Sequence, residues 1–314
     1  MRLRSFTATN LRTCAALLPS GSLTSDELRA RLPDIWTDLA RAHMLNGTVT
    51  EDTAMPVAAF GMSVFLEASF VDACLRQAEP GIASQVYRAV LQGRSPVLRV
   101  ADVARANAGE GLDLLVLHYW QHDLDVTRPR AQALVAAGHA AFRLAHEGFR
   151  ISRVFQEAST PEQAGFLRAG GFLEKRHYRS SGAPDAPGDA WLMGLARTDP
   201  ESQSIGTTVS FLFRDTEPRF GFSLTEQRLL HGCLLDSTDA LSAVDRSPNT
   251  VKKLWQSIYA RVEAVDPRVL NPNGVAGDQD PRTRGPEKRR HLLDYLRYHL
   301  EELRPRVRRA RPGA

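Results

Sequence analysis

Apolar positions in this chain change period from one stretch to the next, and the period sets the elements expected. From Pro248 to Val265, Val251, Leu254, Trp255, Ile258 and Val262 recur on one face at about 100° per residue. Asn249, Lys253, Gln256 and Ala260 fall on the opposite face, with Lys252 at its edge. Ser247 as N-cap and Pro248 at the first helical position open this helix, and it stops before Pro267. Upstream, Leu229, Leu230, Cys233 and Leu234 mark a supporting helix, and Ala240, Leu241 and Val244 a short one between the two. Nearer the start, Leu28, Leu32, Ile35 and Leu39 predict a helix over 23–42, capped by Thr24 or Ser25 and interrupted at Pro33.

Strand-like runs occupy the middle. Leu112 to Trp120 is almost continuously apolar, as in a strand buried on both faces, and Pro96 to Val103 reads as another. Residues 55 to 70 fit strand or helix. Ile82 to Leu91 is helical, and Arg130 to Glu147 is an alanine-rich helix stopped at Gly148. A strand at Ile151 to Glu157, a helix opened by Thr160-Pro161-Glu162, and strands at Phe172 to Arg179 and Trp191 to Ala196 follow. Alternation of Val209, Phe211 and Phe213 with Thr208, Ser210 and Leu212 predicts a last strand over 207–213. The order is mixed α/β.

Composition narrows the class. The chain has 314 residues, 43% hydrophobic and 24% charged, which suits about two ordinary globular domains. Cys14, Cys74 and Cys233 are too widely spaced for a disulfide framework or a metal site, and the nine histidines form no ligand cluster. His139 and His146, seven apart on one helix, are expected in ordinary structural roles. No tract has the length of a secretory or membrane segment, so a cytoplasmic protein with no membrane partner is expected. Net charge is +4, yet residues 281–314 alone carry eleven Arg and Lys against four Asp and Glu. That basic end favours a polyanion.

Those residues meet in a resemblance. The run Ser247-Pro248-Asn249-Thr250-Val251-Lys252, followed by Ile258-Tyr259, Arg261-Val262 and the opening Leu224-Thr225, resembles the LuxR-type helix-turn-helix of bacterial transcription regulators over about 43 residues. It departs from that pattern at Arg228, Ala240-Leu241, Arg246 and Leu254. The resemblance implies double-stranded DNA as partner, bound by a homodimer. Asn249, Lys253 and Gln256 would meet base edges, and Lys252, Arg246, Arg261 and the Lys288–Arg290 run the phosphates.

A second resemblance covers Leu112 to Ala196. The strand, the long helix, HEGFRISRVFQEA and TPEQAGFLRAGGFLEKRHYR resemble the C-terminal half of a GNAT acyltransferase fold. That family holds the acyl-CoA pyrophosphate on backbone NH groups at a helix N-terminus. The nearest equivalent, Arg128-Pro129-Arg130-Ala131-Gln132-Ala133, has Ala131 in place of the first Gly, and Pro129 lacks an NH. No cofactor is therefore expected. His118, Tyr119, His122, Asp123, Glu157 and Tyr178 could supply a general base and acid, but no spacing among them is diagnostic, so no catalytic residue is assigned. A cleft for a small-molecule effector is the preferred role.

The expected organisation is an α/β, GNAT-like mixed-sheet domain over 1–215 and an all-α helix-turn-helix domain over 220–266. A linker over 267–285 and a basic helix and tail over 286–314 complete it. Leu292, Tyr295, Leu296, His299, Leu300 and Leu303 give that last helix an apolar stripe that meets either a second copy or its own chain. The expected function is a DNA-binding regulator sensing a ligand or partner; the alternative is a GNAT-like N-acyltransferase with an appended helical module.

Overall fold

The computed structural model describes residues 1–19, 25–180, 188–204, 207–235, 247–272 and 285–307. Its contacts divide the chain into one compact unit of Met1–Arg214 with Arg306–Ala314, and a second of Asp215–Pro305.

The first unit is built on seven strands: β1 (Arg2–Arg4), β2 (Asn46–Asp52), β3 (Met55–Leu66), β4 (Leu112–Gln121), β5 (Ile151–Ala158), β6 (Leu173–Tyr178) and β7 (Ala190–Ala196). Their order in the sheet is β1-β2-β3-β4-β5-β7-β6, and β4 with β5 is the parallel pair among antiparallel neighbours. A parallel pair needs a crossover, and α6 (Pro129–His146) supplies it. This is a mixed sheet flanked by helices.

Helices cover both faces. On one lie α1 (Ala8–Leu17), α2 (Asp26–Arg41), α3 (Ala68–Arg76) and α4 (Ile82–Leu91), whose buried Trp36, Tyr87 and Val86 close a continuous core with Phe60 and Leu115 of the sheet. On the other lie α5 (Val100–Ala108), α6 and α7 (Pro161–Ala169). Pro33 does not interrupt α2, which runs through it with Leu28, Leu32, Ile35, Trp36 and Leu39 all buried. Burial of that stripe outweighs the lost backbone bond. The apolar run at 55–70 divides into β3 and α3, with Glu67 between them.

Two expected strands are absent. Within 96–103, Val97 makes a single bridge to Leu66 and α5 then begins at Val100. Residues Ser210–Phe213 form a 3-10 turn, because Ser210 and Leu212 donate to the carbonyls of Thr207 and Val209 and thus satisfy the backbone locally. Phe211, Leu212 and Phe213 are all buried, so their apparent alternation does not separate two faces.

One glycine fixes the approach of β2 to β3. Gly47 has φ +130°, and a Cβ there would lie 2.0 Å from the carbonyl oxygen of Gly61. Only glycine tolerates both conditions.

In the second unit, α8 (Leu224–Leu235) and α9 (Pro248–Val265) form where the periodicity places them. The Ser247 hydroxyl accepts from the Thr250 amide as the N-cap. The expected middle helix around Ala240, Leu241 and Val244 lies outside the described residues. α10 (Gly285–Leu296) buries Leu292 and Leu296, and the turn after it buries Leu300 and Leu303. The C-terminal stripe thus packs on its own chain.

Candidate functional site

β4 carries the residues on which any chemistry or binding in the first unit turns. Its pairing with β3 slips between Met62 and Ser63: Met62 faces His118, whereas Ser63 faces Val116. The inserted residue is a bulge that re-aims the strand end. Pairing with β5 stops at Val116 opposite Gln156, although both strands continue. A cleft opens there.

His118 and Tyr119, neighbours in sequence, serve opposite sides of it. His118 belongs to the packed side: Trp36 Nε1 donates to Tyr87 Oη at 3.1 Å, and Tyr87 Oη lies 2.8 Å from His118 Nε2. Burial pushes the His118 imidazole down to about 4, so it stays neutral and accepts. Tyr119 turns the other way. Its ring stacks on Phe166 of α7 at 5.8 Å between centroids and 7° between planes, and its hydroxyl donates to Gln121.

Glu157 and Tyr178 lie away from Tyr119. Glu157 Oε1 accepts the Gly81 amide at 2.7 Å, at the start of α4. Burial raises the Glu157 carboxyl above its ordinary range, although the amides of Gly81, Ile82 and Ala83 oppose that. Its evident role is to cap α4. Tyr178 is buried in the same core, and burial followed by the nearby Glu157 raises its phenol. Tyr119 therefore stands apart from the core that holds Tyr178 and Tyr87, the partner of His118.

A cavity of about 550 Å³ lies between the sheet, α6 and α7. Its floor includes Thr48 and Thr50 of β2, Gly61 and Ser63 of β3, and Gln156 of β5. Its walls are short side chains of α6, including Ala136, Ala141 and Ala145, and Tyr119 and Phe166 lie toward α7. His146 is buried there, with Nδ1 2.8 Å from the Phe142 carbonyl and Nε2 2.7 Å from Ser63 Oγ. Because the carbonyl can only accept, Nδ1 donates and Nε2 accepts. His139 instead stands exposed at the rim.

Acetyl-CoA is the cofactor that the GNAT resemblance implies, and the residues before α6 do not fit it. Pro129 at the first helical position has no NH to offer. The amides of Asp125 and Thr127 already donate, both at 3.1 Å, to the carboxylates of Asp123 and Asp125. Bonds from the Thr127 hydroxyl and amide, with Arg128 beside it, hold the Asp125 carboxyl below its ordinary range. Arg128 is engaged by both acids and Arg130 by Asp52 at 2.8 Å. The loop amides of Asp125 and Thr127 and the guanidinium groups of Arg128 and Arg130 are thus taken by the chain's own anions.

In the second unit, Asn249, Lys252, Lys253 and Gln256 are exposed along α9, while Val251, Trp255, Ile258 and Val262 are buried beneath them. Arg246 lies outside the described residues. Arg261 departs from the expected phosphate role: it is half-buried and lies 3.6 Å from Glu226 of α8. Burial pushes the Glu226 carboxyl up, yet bonds from the Ser223 amide, Ser257 and the Ser223 hydroxyl, together with Arg261, hold it below the ordinary range. Lys288 and Arg289 are likewise engaged. Lys288 pairs with Glu263 at 2.8 Å, and the Arg289 guanidinium lies 4.6 Å over the Trp255 ring. Arg290 lies 3.9 Å from Glu287.

Among the described residues, no group of His, Cys, Asp or Glu could hold a metal ion, and no helix is long and apolar enough to cross a membrane. No family model and no curated protein matches the chain, so the LuxR-type resemblance gains no support there. Solved structures do match. A variant of the spermidine N-acetyltransferase SpeG from Vibrio cholerae is 11% identical with a TM-score of 0.37, over 65% of this chain and 96% of that one. A chimera of the Vibrio cholerae enzyme with hSSAT gives 10% and 0.38, over 68% and 98%. A protein described as a GNAT-family acetyltransferase from Desulfovibrio desulfuricans gives 13% and 0.33, over 62% and 96%.

Proposed function

We propose that this chain is a ligand-binding regulator: a GNAT-like unit that captures a small molecule between α6 and α7, joined to a helical unit that contacts double-stranded DNA through α9. The observation that carries the reading is the 550 Å³ cavity, of ligand size, beside a helix start where Pro129 offers no NH and the preceding Asp125 and Thr127 amides bond to the chain's own carboxylates. Such a cleft suits capture of a compact ligand better than transfer from coenzyme A. For the second unit, the support is an α9 face of Asn249, Lys252, Lys253 and Gln256 above a buried apolar stripe. Lys can donate to guanine, and Asn or Gln can pair with adenine, in the major groove. Two copies would act together, since one helix spans few base pairs.

Selection of bound fragments from genomic DNA tests the DNA reading. A recurrent two-half-site sequence is expected. On it, Gln256→Ala should cost about 1–3 kcal/mol and relax one position. Lys252→Ala should weaken every sequence alike and lower the salt slope by about one. Absence of binding at low salt would remove DNA from the function.

N-acyl transfer is the second reading, and the early end of β4–β5 pairing at Val116 and Gln156 favours it, because it parts two parallel strands beside the cavity. Calorimetry with acetyl-CoA separates the readings. No saturable heat is expected; micromolar binding would move the function to the transferase class.

A further inference from the structure

We infer that the cleft between α6 and α7 selects an uncharged, mainly apolar small molecule bearing hydrogen-bonding groups at one end, and rejects anionic ligands of the same shape. This rests on the ligand-capture half of the function proposed above and names the chemistry of that ligand.

Three observations carry it. No described residue lining the cavity is an Asp, Glu, Lys or Arg. Charged side chains next to the lining positions pair with one another instead, Arg130 with Asp52 and Arg143 with Glu147. An anion brought into such a site would lose its hydration and gain no counter-charge, which makes burial costly.

The room itself comes from missing side chains. Gly61 on the floor and Ala136, Ala141 and Ala145 on α6 leave a volume that a ring system or a branched aliphatic body would fill. Apolar surface removed from water provides the binding energy there.

Uncommitted hydroxyl and amide groups lie on the floor, since Tyr119, Gln132 and Thr208 elsewhere in the lining bond to Gln121, Val126 and Gly170. Ser63 is committed to His146, whereas the hydroxyls of Thr48 and Thr50 and the amide of Gln156 have no side-chain partner among the described residues. They can both donate and accept, so they suit a carbonyl, amide or hydroxyl on the ligand. At the rim, burial and then the nearby Arg143 lower the His139 imidazole below its ordinary range, so at neutral pH the entrance adds no charge either.

A matched pair of fluorescent probes tests the inference on the full chain: N-phenyl-1-naphthylamine, which is neutral, and 8-anilino-1-naphthalenesulfonate, the same skeleton with a sulfonate. The neutral probe is expected to saturate at one per chain, and the sulfonate at least tenfold more weakly. Gly61→Phe, whose side chain would enter the cavity from β3 with only ordinary contact to Tyr119 at its Cβ, should weaken the neutral probe at least tenfold with circular dichroism unchanged. Ala141→Leu serves if that variant does not fold. Equal or tighter binding of the sulfonate would overturn the selectivity while leaving ligand capture intact. Neutral binding that both filling variants leave untouched would overturn the location. Failure of both probes to bind would overturn ligand capture itself, whereas DNA binding by α9 is read separately in the fragment selection.

Discussion

The two faces of the seven-stranded sheet are made from the same strands and do opposite things. Toward α2 and α4 the sheet meets Trp36 and Tyr87, both fully buried, and the space is filled. Toward α6 and α7 it meets alanines and a glycine, and the space is left open. Residues 118 and 119 make the contrast sharpest, one imidazole at the end of a hydrogen-bonded chain and one phenol stacked beside a cavity. The difference teaches that one set of strands can carry a close-packed face and an open one, according to the bulk of the side chains laid against each.

Removing bulk from the filled face should have the largest effect. Trp36→Ala deletes a fully buried indole that also donates to Tyr87, and it should cost about 3–5 kcal/mol in urea unfolding. A loss near zero would mean that the face is not close-packed.

Acidification should expose the same face next. The folded-state pKa of His118, lowered to about 4, lies below its unfolded value near 6.5, so the unfolded chain binds the proton more readily. Stability from this group is complete above pH 6.5 and falls as pH drops toward 4, by about 3 kcal/mol in all. Unfolding midpoints at pH 7 and pH 5 should diverge for the parent chain and converge for His118→Gln. Parallel curves would show His118 to be solvated.

A smaller effect is expected at the border of the cavity. In Gly138→Ala the new Cβ would lie 3.0 Å from Tyr119 Oη and 3.2 Å from its ring, so Tyr119 must shift. A cost of about 1 kcal/mol is expected, with altered fluorescence of bound neutral probe. The smallest effect belongs to Ala136→Leu, which adds bulk to an exposed cavity-lining position and should change stability by no more than about 0.5 kcal/mol. A large loss there would erase the distinction between the faces.

Much of the scaffold was legible because its signals are additive. Ser247-Pro248 and the Val251–Val262 stripe mark α9, and the apolar run from Leu112 marks β4. The cavity was not legible, for a physical reason: Ala136, Ala141 and Ala145 register in a sequence as helix formers, and what they omit has no symbol. Directions along β4 were hidden too, since the bulge opposite Met62 and Ser63 breaks the alternation by which faces are counted. β2, with Asn46, Gly47 and Glu51 among its seven residues, carries too little apolar signal to stand out. Arg261 lies three residues after the buried Ile258, beside the inward stripe, and that spacing already hinted at its capture by Glu226.

Gly47 of β2 lies diagonally across from Gly61 of β3, yet they would behave differently in a saturation-mutagenesis library. At 47, every replacement collides with backbone, so variants should vanish under any selection that requires a folded chain. At 61, replacements enter empty space and should survive that selection, dropping out only when the population is screened for ligand response. One pair of neighbouring positions would thereby calibrate, within a single experiment, which losses report folding and which report recognition.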